Sequence, residues 1–162
     1  QMLHLYDKVK QAAQFSPSDR LLDLYCGIGT IGLYCADEVA NVVGIEENAS
    51  AIRLANDNQR LNGIENAVFY EGRVKNILKF HEFDPTVIIL DPPRAGIVPK
   101  ALRRIIALDV PKIVYVSCNP STCFRDLTAF EDAGYQVRSI LPVDMFPHTF
   151  HVETVTVLHK MG

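Results

Sequence analysis

Long apolar runs are missing from this sequence. No stretch approaches the ~20 uninterrupted apolar residues that a membrane-spanning helix needs, and no basic segment followed by an apolar core opens the chain, so neither a span nor a secretory signal is read. A surplus of basic charge is missing too: 16 Lys and Arg face 19 Asp and Glu, for a net charge of -3 and a pI near 5.9. Proteins that neutralise many phosphates carry a basic footprint, so this balance excludes a domain that grips nucleic acid by charge alone. Cysteine is sparse, with Cys26, Cys35, Cys118 and Cys123 too few and too irregularly placed for a disulfide scaffold and never spaced C-x-x-C, so no metal site or iron-sulfur cluster is expected. Reduced thiols and a cytoplasmic setting are the expectation. Internal repeats, low-complexity tracts and linkers are absent as well. What remains is 162 residues, 48% hydrophobic and 22% charged, the profile of one ordinary domain with a real core.

Along the chain, Met2, Leu5, Tyr6, Val9, Ala12 and Ala13 recur at helical intervals in a stripe that opens without a capping residue, which reads as the interior of a longer protein. Strand and helix patterns then alternate. RLLDLYC, NVVGIE, AVFYEG, TVIILD and KIVYVSC read as strands, separated by helices through IGLYCADEV, NASAIRLANDNQRLNG, VKNILKF and PKALRRIIALD, with another over STCFRDLTAFEDAG. Several strands are nearly continuous apolar runs, as expected of a mostly parallel sheet covered by helices on both faces. The ending differs: YQVRSILPVDMF and HVETVTVLHK are two strand-like runs joined by PHTF with no helix between them, which predicts a terminal antiparallel hairpin.

Gly27, Gly29 and Gly32 form G-x-G-x-x-G between a strand and a helix, where glycine lets backbone approach a ligand closely. Glu46 ends the next strand, where a carboxylate can accept both ribose hydroxyls of an adenosine. The glycine motif does not choose between NAD and S-adenosylmethionine, and by itself it also suits a plain strand-to-helix turn. Asp91, Pro92 and Pro93 follow the fourth strand, on the carboxyl edge where α/β ligands bind, and the two prolines stiffen that turn. A D-P-P turn serves structure as readily as function.

Cys118 ends the strand KIVYVSC, and Asn119 or Ser121 is positioned to cap the helix that follows. A thiol at a helix N-terminus faces the positive end of the dipole, an environment that favours thiolate. Local pattern leaves open a nucleophile or a buried strand-end thiol. Glu153 interrupts the apolar pattern of HVETVTVLHK close to His148 and His151, and alternation alone also allows a solvent-facing glutamate there.

Together DLYCGIG, LDPPRAG, IVYVSCNPST, PVDMFPHT and HVET resemble the RNA (uracil-5-)-methyltransferase family over nearly the whole chain, in the family's order. The resemblance implies a class I S-adenosylmethionine-dependent methyltransferase fold, α/β and Rossmann-like, with a seven-stranded sheet, mostly parallel, and a terminal antiparallel hairpin. It implies that residues 1–162 are one catalytic domain, and that an upstream RNA-binding region of the full-length protein holds the tRNA or 23S rRNA substrate. It makes Cys118 the nucleophile that attacks C6 of a uridine and Glu153 the base that removes the C5 proton after methyl transfer from S-adenosylmethionine, which becomes S-adenosylhomocysteine. Tyr25, Gly27, Gly29, Glu46 and Asp91 become cofactor contacts, with Thr30 a weaker one, and Arg94 a holder of RNA or of the flipped base.

Two departures stand out. Arg73 occupies a position where many members carry Asp or Asn, and Arg has no acceptor for the adenine amino group; the family's upstream F-x-Q segment is not in this sequence. Three rival readings remain. An NAD-dependent oxidoreductase fits the glycine loop and Glu46 but not the final hairpin. An amino-group methyltransferase fits D-P-P but has an aromatic residue where Arg94 stands. A module that binds S-adenosylmethionine without turnover fits neither Cys118 nor Glu153.

Overall fold

A computed structural model describes residues 2–145 and 152–162. The expected PHTF connection, His148 and His151 lie outside the described residues. Seven strands form one sheet in the order β3-β2-β1-β4-β5-β7-β6. They are β1 (Arg20–Leu24), β2 (Asn41–Glu46), β3 (Ala67–Glu71), β4 (Val87–Leu90), β5 (Lys112–Ser117), β6 (Tyr135–Asp144) and β7 (Val152–Lys160). The first five run parallel, and β7 enters antiparallel between β5 and β6. The mostly parallel sheet and the closing hairpin are thus as the sequence predicts. A pure run of parallel strands, as in the oxidoreductase alternative, is excluded.

Side chains of successive strand residues point to opposite faces, and this alternation divides the core in two. Leu21, Ile89, Val114, Val116, Val155 and Val157 pack on one face, with Leu5 and Val9 of helix α1 (Met2–Ala13) against them. Leu22, Leu24, Ile88, Leu90 and Ile113 pack on the other, covered by α5 (Pro99–Ala107) through Ala101 and Ile105 and by α6 (Pro120–Asp132) through Leu127 and Phe130. Complete burial of an aliphatic side chain contributes about 1.5–3 kcal/mol, so β4, buried along its whole length, anchors both layers. The remaining helices are α2 (Thr30–Cys35), α3 (Ala49–Leu61) and α4 (Val74–Phe80). The second predicted helix is shorter than its pattern: after Cys35 it tightens into a single 3-10 turn at Ala36–Glu38.

Helix α1 packs by Leu5, Tyr6, Val9 and Ala13, whereas Met2, one turn before this packed stretch, is exposed. Its orientation is fixed at both ends. The Lys112 ammonium, at the start of β5, donates to the carbonyls of Ala13 and Gln14, and the Tyr6 hydroxyl donates to Thr30 Oγ1 at the start of α2. The amino end of α1 therefore lies toward the carboxyl edge of the sheet, where the parallel strands end.

Candidate active site

Glycine-loop geometry at the end of β1 begins with strain. Tyr25 adopts φ 62°, a left-handed conformation costly for a residue with a Cβ, and Gly29 follows at φ 78°. A Cβ on Gly29 would stand 2.8 Å from Cζ of Phe69, so the turn has room for glycine alone. Glu46 fixes the loop from the neighbouring strand: its Oε2 accepts from the backbone N–H of Gly27 at 3.1 Å and its Oε1 from that of Asn48 at 3.0 Å. Each oxygen keeps a lone pair for a further donor. Asn48 caps α3 by accepting from the Ala51 N–H.

Beneath the loop lies a residue that the sequence reading passed over. Asp23 is wholly buried in β1, its Oδ2 accepts from the Gly32 N–H at 3.0 Å, and its Oδ1 has no partner among the described residues. Burial, reinforced by Asp91, pushes its carboxyl up to about 8. An acid in the middle of the apolar run RLLDLY, next to the glycines, was the available signal.

Between the ends of β1, β2, β3 and β4 opens a cavity of about 480 Å³, the size of a small-ligand site. Tyr25, Glu46 and Asp91 line it, as does Arg73, the departure noted in the sequence, and Glu47, Lys75 and Val98 are lining residues that the motifs did not single out. Gly27 and Gly29 are not wall residues; they shape the loop that presents Tyr25. Arg73 is engaged by Glu47, with its Nε donating at 3.2 Å. Burial raises the Tyr25 phenol to about 12, with Asp126 and Glu47 adding to the effect, so Tyr25 offers a neutral hydroxyl and an aromatic face. An adenosine-bearing cofactor fits these donors and acceptors: the ring of Tyr25, the free lone pairs of Glu46 and the open space around Gly27, where an added Cβ would meet nothing within 4 Å.

Cys118 and Glu153 do not line this cavity. Glu153 lies on β7 and Cys118 just past the end of β5, where the two strands close with the pair Ser117 and Thr154. Cys118 and Glu153 adjoin that pair, one following Ser117 and the other preceding Thr154. Among the four free cysteines, Cys26, Cys35 and Cys123 are buried and Cys118 is half-buried. Burial pushes the thiols of Cys26 and Cys123 up and that of Cys35 to about 12, which leaves Cys118 as the accessible thiol. Asn119, rather than Ser121, caps α6, its Oδ1 accepting from the Ser121 N–H at 3.1 Å.

Asp91 joins the two halves. It faces the cavity, yet the protein around it removes much of its hydration, and Glu153 sets a second negative charge nearby; together these raise its carboxyl to about 7. Burial also raises Glu153. The Arg94 side chain is exposed, while its carbonyl accepts from Asn119 Nδ2 and Thr122 Oγ1, each at 3.0 Å.

Residues 69–161 match the family model described as tRNA (Uracil-5-)-methyltransferase, and residues 5–107 match the methyltransferase small domain. RNA methyltransferases without assigned substrate from Caldanaerobacter subterraneus and Clostridium tetani are each 45% identical over 156 residues, 96% of this chain. The chain spans 35% and 34% of those two relatives, about a third of their length. Among solved structures, the Pyrococcus abyssi tRNA (uracil-54, C5)-methyltransferase in complex with S-adenosyl-L-homocysteine is 35% identical with a TM-score of 0.80, over 94% of this chain and 37% of that one. A precorrin-6y C5,15-methyltransferase from Geobacter metallireducens reaches a TM-score of 0.82 at 13% identity, over 97% of this chain and 89% of that one, a likeness of fold alone. The fold is that of the class I S-adenosylmethionine-dependent methyltransferases.

Proposed function

We propose that this chain, which belongs to the tRNA (uracil-5-)-methyltransferase family, is the catalytic domain of an S-adenosylmethionine-dependent enzyme that methylates C5 of a uridine in tRNA or 23S rRNA. The observation that carries this reading is the position of Asp91, which lines the cavity and feels the charge of Glu153, the residue next to Thr154, whose β5 partner Ser117 precedes Cys118. One site for a small cofactor and one thiol–carboxylate pair meet at that carboxyl group. The relative from Pyrococcus abyssi, solved with S-adenosyl-L-homocysteine, supports the choice of cofactor.

S-adenosylmethionine, when bound, supplies an electrophilic methyl group on a sulfonium. Tyr25 stacks or packs on its adenosine, Glu46 accepts from its ribose hydroxyls, and the Gly27–Gly29 turn lets the backbone come close. Asp91 stands on the cavity wall within electrostatic reach of Glu153. Cys118 adds as thiolate to C6 of the uridine; the electron pair of the C5–C6 bond moves to C5 and the C4 carbonyl, which turns a poor nucleophile into an enolate that takes the methyl at C5. Glu153 then removes the C5 proton, the C5–C6 double bond re-forms and Cys118 leaves. Covalent addition splits one hard substitution into easier steps, and a carboxylate raised by burial is a stronger base than one in water. To reach the thiol, the uridine leaves its stack. With a net charge of -3, the domain relies on an upstream region of the full-length protein for most of its hold on RNA.

The test incubates full-length protein with S-adenosylmethionine and RNA carrying 5-fluorouridine, and examines the product by denaturing gel and mass spectrometry. Fluorine at C5 does not leave as a proton, so a protein–RNA adduct carrying one transferred methyl at Cys118 is expected. Methylated RNA without any adduct would point instead to methylation of a base amino group.

A further inference from the structure

Behind the loop that carries Asp91, one carboxylate joins three elements. Asp126, in α6, is 0% exposed. Its Oδ2 accepts from the backbone N–H of Ile97 at 2.9 Å and from the Tyr115 hydroxyl at 2.7 Å. Its Oδ1 accepts from Nε and Nη2 of Arg125 at 3.0 and 2.9 Å. Ile97 closes the Asp-Pro-Pro-Arg-Ala-Gly loop, Tyr115 lies on β5 three residues before Cys118, and α6 starts two residues after Cys118. Arg125 strengthens the link, because its Nη2 also donates to the carbonyls of Ala95 and Ile97 at 3.2 and 3.3 Å.

Gly96 makes the approach possible. At φ 77°, it lies so close that a Cβ would stand 2.4 Å from Arg125 Nη2 and 2.9 Å from Asp126 Oδ2. Packing alone gives no reason for a charge here. The rest of the buried face of α6 is Cys123, Leu127 and Phe130, and a leucine would extend it. A buried carboxylate is tolerated only when donors surround it, and four charge-assisted or polar donors converging on it define one geometry in a way that apolar packing does not. Burial and Asp126 also hold the Tyr115 phenol far above its ordinary value, so it is a permanent donor.

The geometry points to Asp126 as a positioning residue that, with Tyr115 and Arg125, locks the Asp91 loop to the strand and helix on either side of Cys118, so that the cofactor cavity and the thiol keep one fixed separation during methyl transfer. This rests on the reading of Cys118 as the uridine nucleophile. Asp126 touches no substrate; its effect passes through the loop, and small displacements of reacting groups cost up to about 100-fold in rate.

The experiment measures, in full-length protein, the rate of the Cys118 adduct with 5-fluorouridine RNA at saturating cofactor and RNA, for the parent, Asp126→Asn and Tyr115→Phe. It is run at a temperature where each is fully folded by thermal melting, and cofactor affinity is titrated by calorimetry. Asparagine keeps the volume of Asp126 but turns an amide toward converging donors; phenylalanine deletes one hydroxyl. The expected result is an adduct rate lowered about 10–100-fold for Asp126→Asn and several-fold for Tyr115→Phe, a cofactor Kd within about threefold of the parent, and faster hydrogen exchange at the Ile97 amide in both. Parental rates in folded variants would overturn the positioning role, as would a cofactor affinity that falls in step with the rate. If Asp126→Asn does not fold, Tyr115→Phe decides: a parental rate without the hydroxyl overturns the claim. A parent that forms no adduct sinks the uridine reading and this role with it, an outcome distinguished from the others because only the parent need be assayed to see it.

Discussion

Ser117, the last residue of β5, pairs with Thr154 of the antiparallel β7, and Cys118 and Glu153 are their immediate chain neighbours. Strand register thus brings the chain segments that carry a thiol and a carboxylate, distant in sequence, to the same end of the sheet. Division of labour follows for variants. Cys118→Ala should abolish the adduct with 5-fluorouridine RNA, whereas Glu153→Gln should allow addition and methyl transfer to ordinary RNA and then trap the adduct. Gel shift and mass spectrometry distinguish the two, and parental turnover by Glu153→Gln would remove Glu153 from the role of base.

Glu46 has two tasks, which a pair of substitutions separates. Glu46→Ala removes both the backbone anchors at Gly27 and Asn48 and the ribose acceptor. Hydrogen bonds to charged groups contribute about 1.5–3 kcal/mol, so cofactor affinity should drop about 10–100-fold by calorimetry. Asp91→Asn should leave the melting temperature higher or unchanged, since it removes a poorly hydrated acid. Unchanged affinity in Glu46→Ala would exclude Glu46 from the site.

Stability should fall as pH rises toward alkaline values. Asp23 and Asp91 are raised from the model-peptide value of 3.8 to about 8 and about 7, so between roughly pH 4 and pH 8 the folded chain holds protons that the unfolded chain has released. The stabilisation they give is complete below about 3.8 and is lost as pH passes through 7 and 8. Melting temperatures recorded from pH 5 to pH 9 should therefore decline, and Asp23→Asn, neutral throughout, should flatten the decline. An identical slope in Asp23→Asn would show that Asp23 does not carry the effect.

Gly29→Ala tests the cofactor loop without touching a charge. The left-handed backbone costs a residue with a Cβ about 1–2 kcal/mol, and the Cβ also meets the Phe69 ring at 2.8 Å, an overpacking worth about 1–3 kcal/mol. At about 2–4 °C per kcal/mol for a domain of this size, the melting temperature should fall by roughly 4–20 °C. A fall of less than about 2 °C would mean that the turn relaxes.

Much of this arrangement was legible because it repeats local rules. Apolar strands alternate with amphipathic helices, two strand patterns without a helix between them make the antiparallel pair, and Asn119 ahead of Pro120 is a helix start. Glu46 and Asp91 were legible by their places at strand ends. Asp126 was not, because Arg-Asp in the middle of a helix reads as solvated surface; the hint was that Asp126 falls three residues after buried Cys123 and four before buried Phe130, on the inward face. Asp23 was hidden in the same way inside an apolar strand. The proximity of Cys118 to Glu153 depends on which strand slots beside β5, a long-range pairing that no local pattern encodes.

That slotting has a bearing on how the molecule is assembled. β7 follows every other strand along the chain yet lies inside the sheet, between β5 and β6. During synthesis the β1–β4 region, with its cavity, is made first, while β6 has no neighbour and the end of β5 has no partner strand. The step that seals the last gap in the sheet is also the step that brings Glu153 to the end of β5, so the proposed thiol and base come together only when the fold closes.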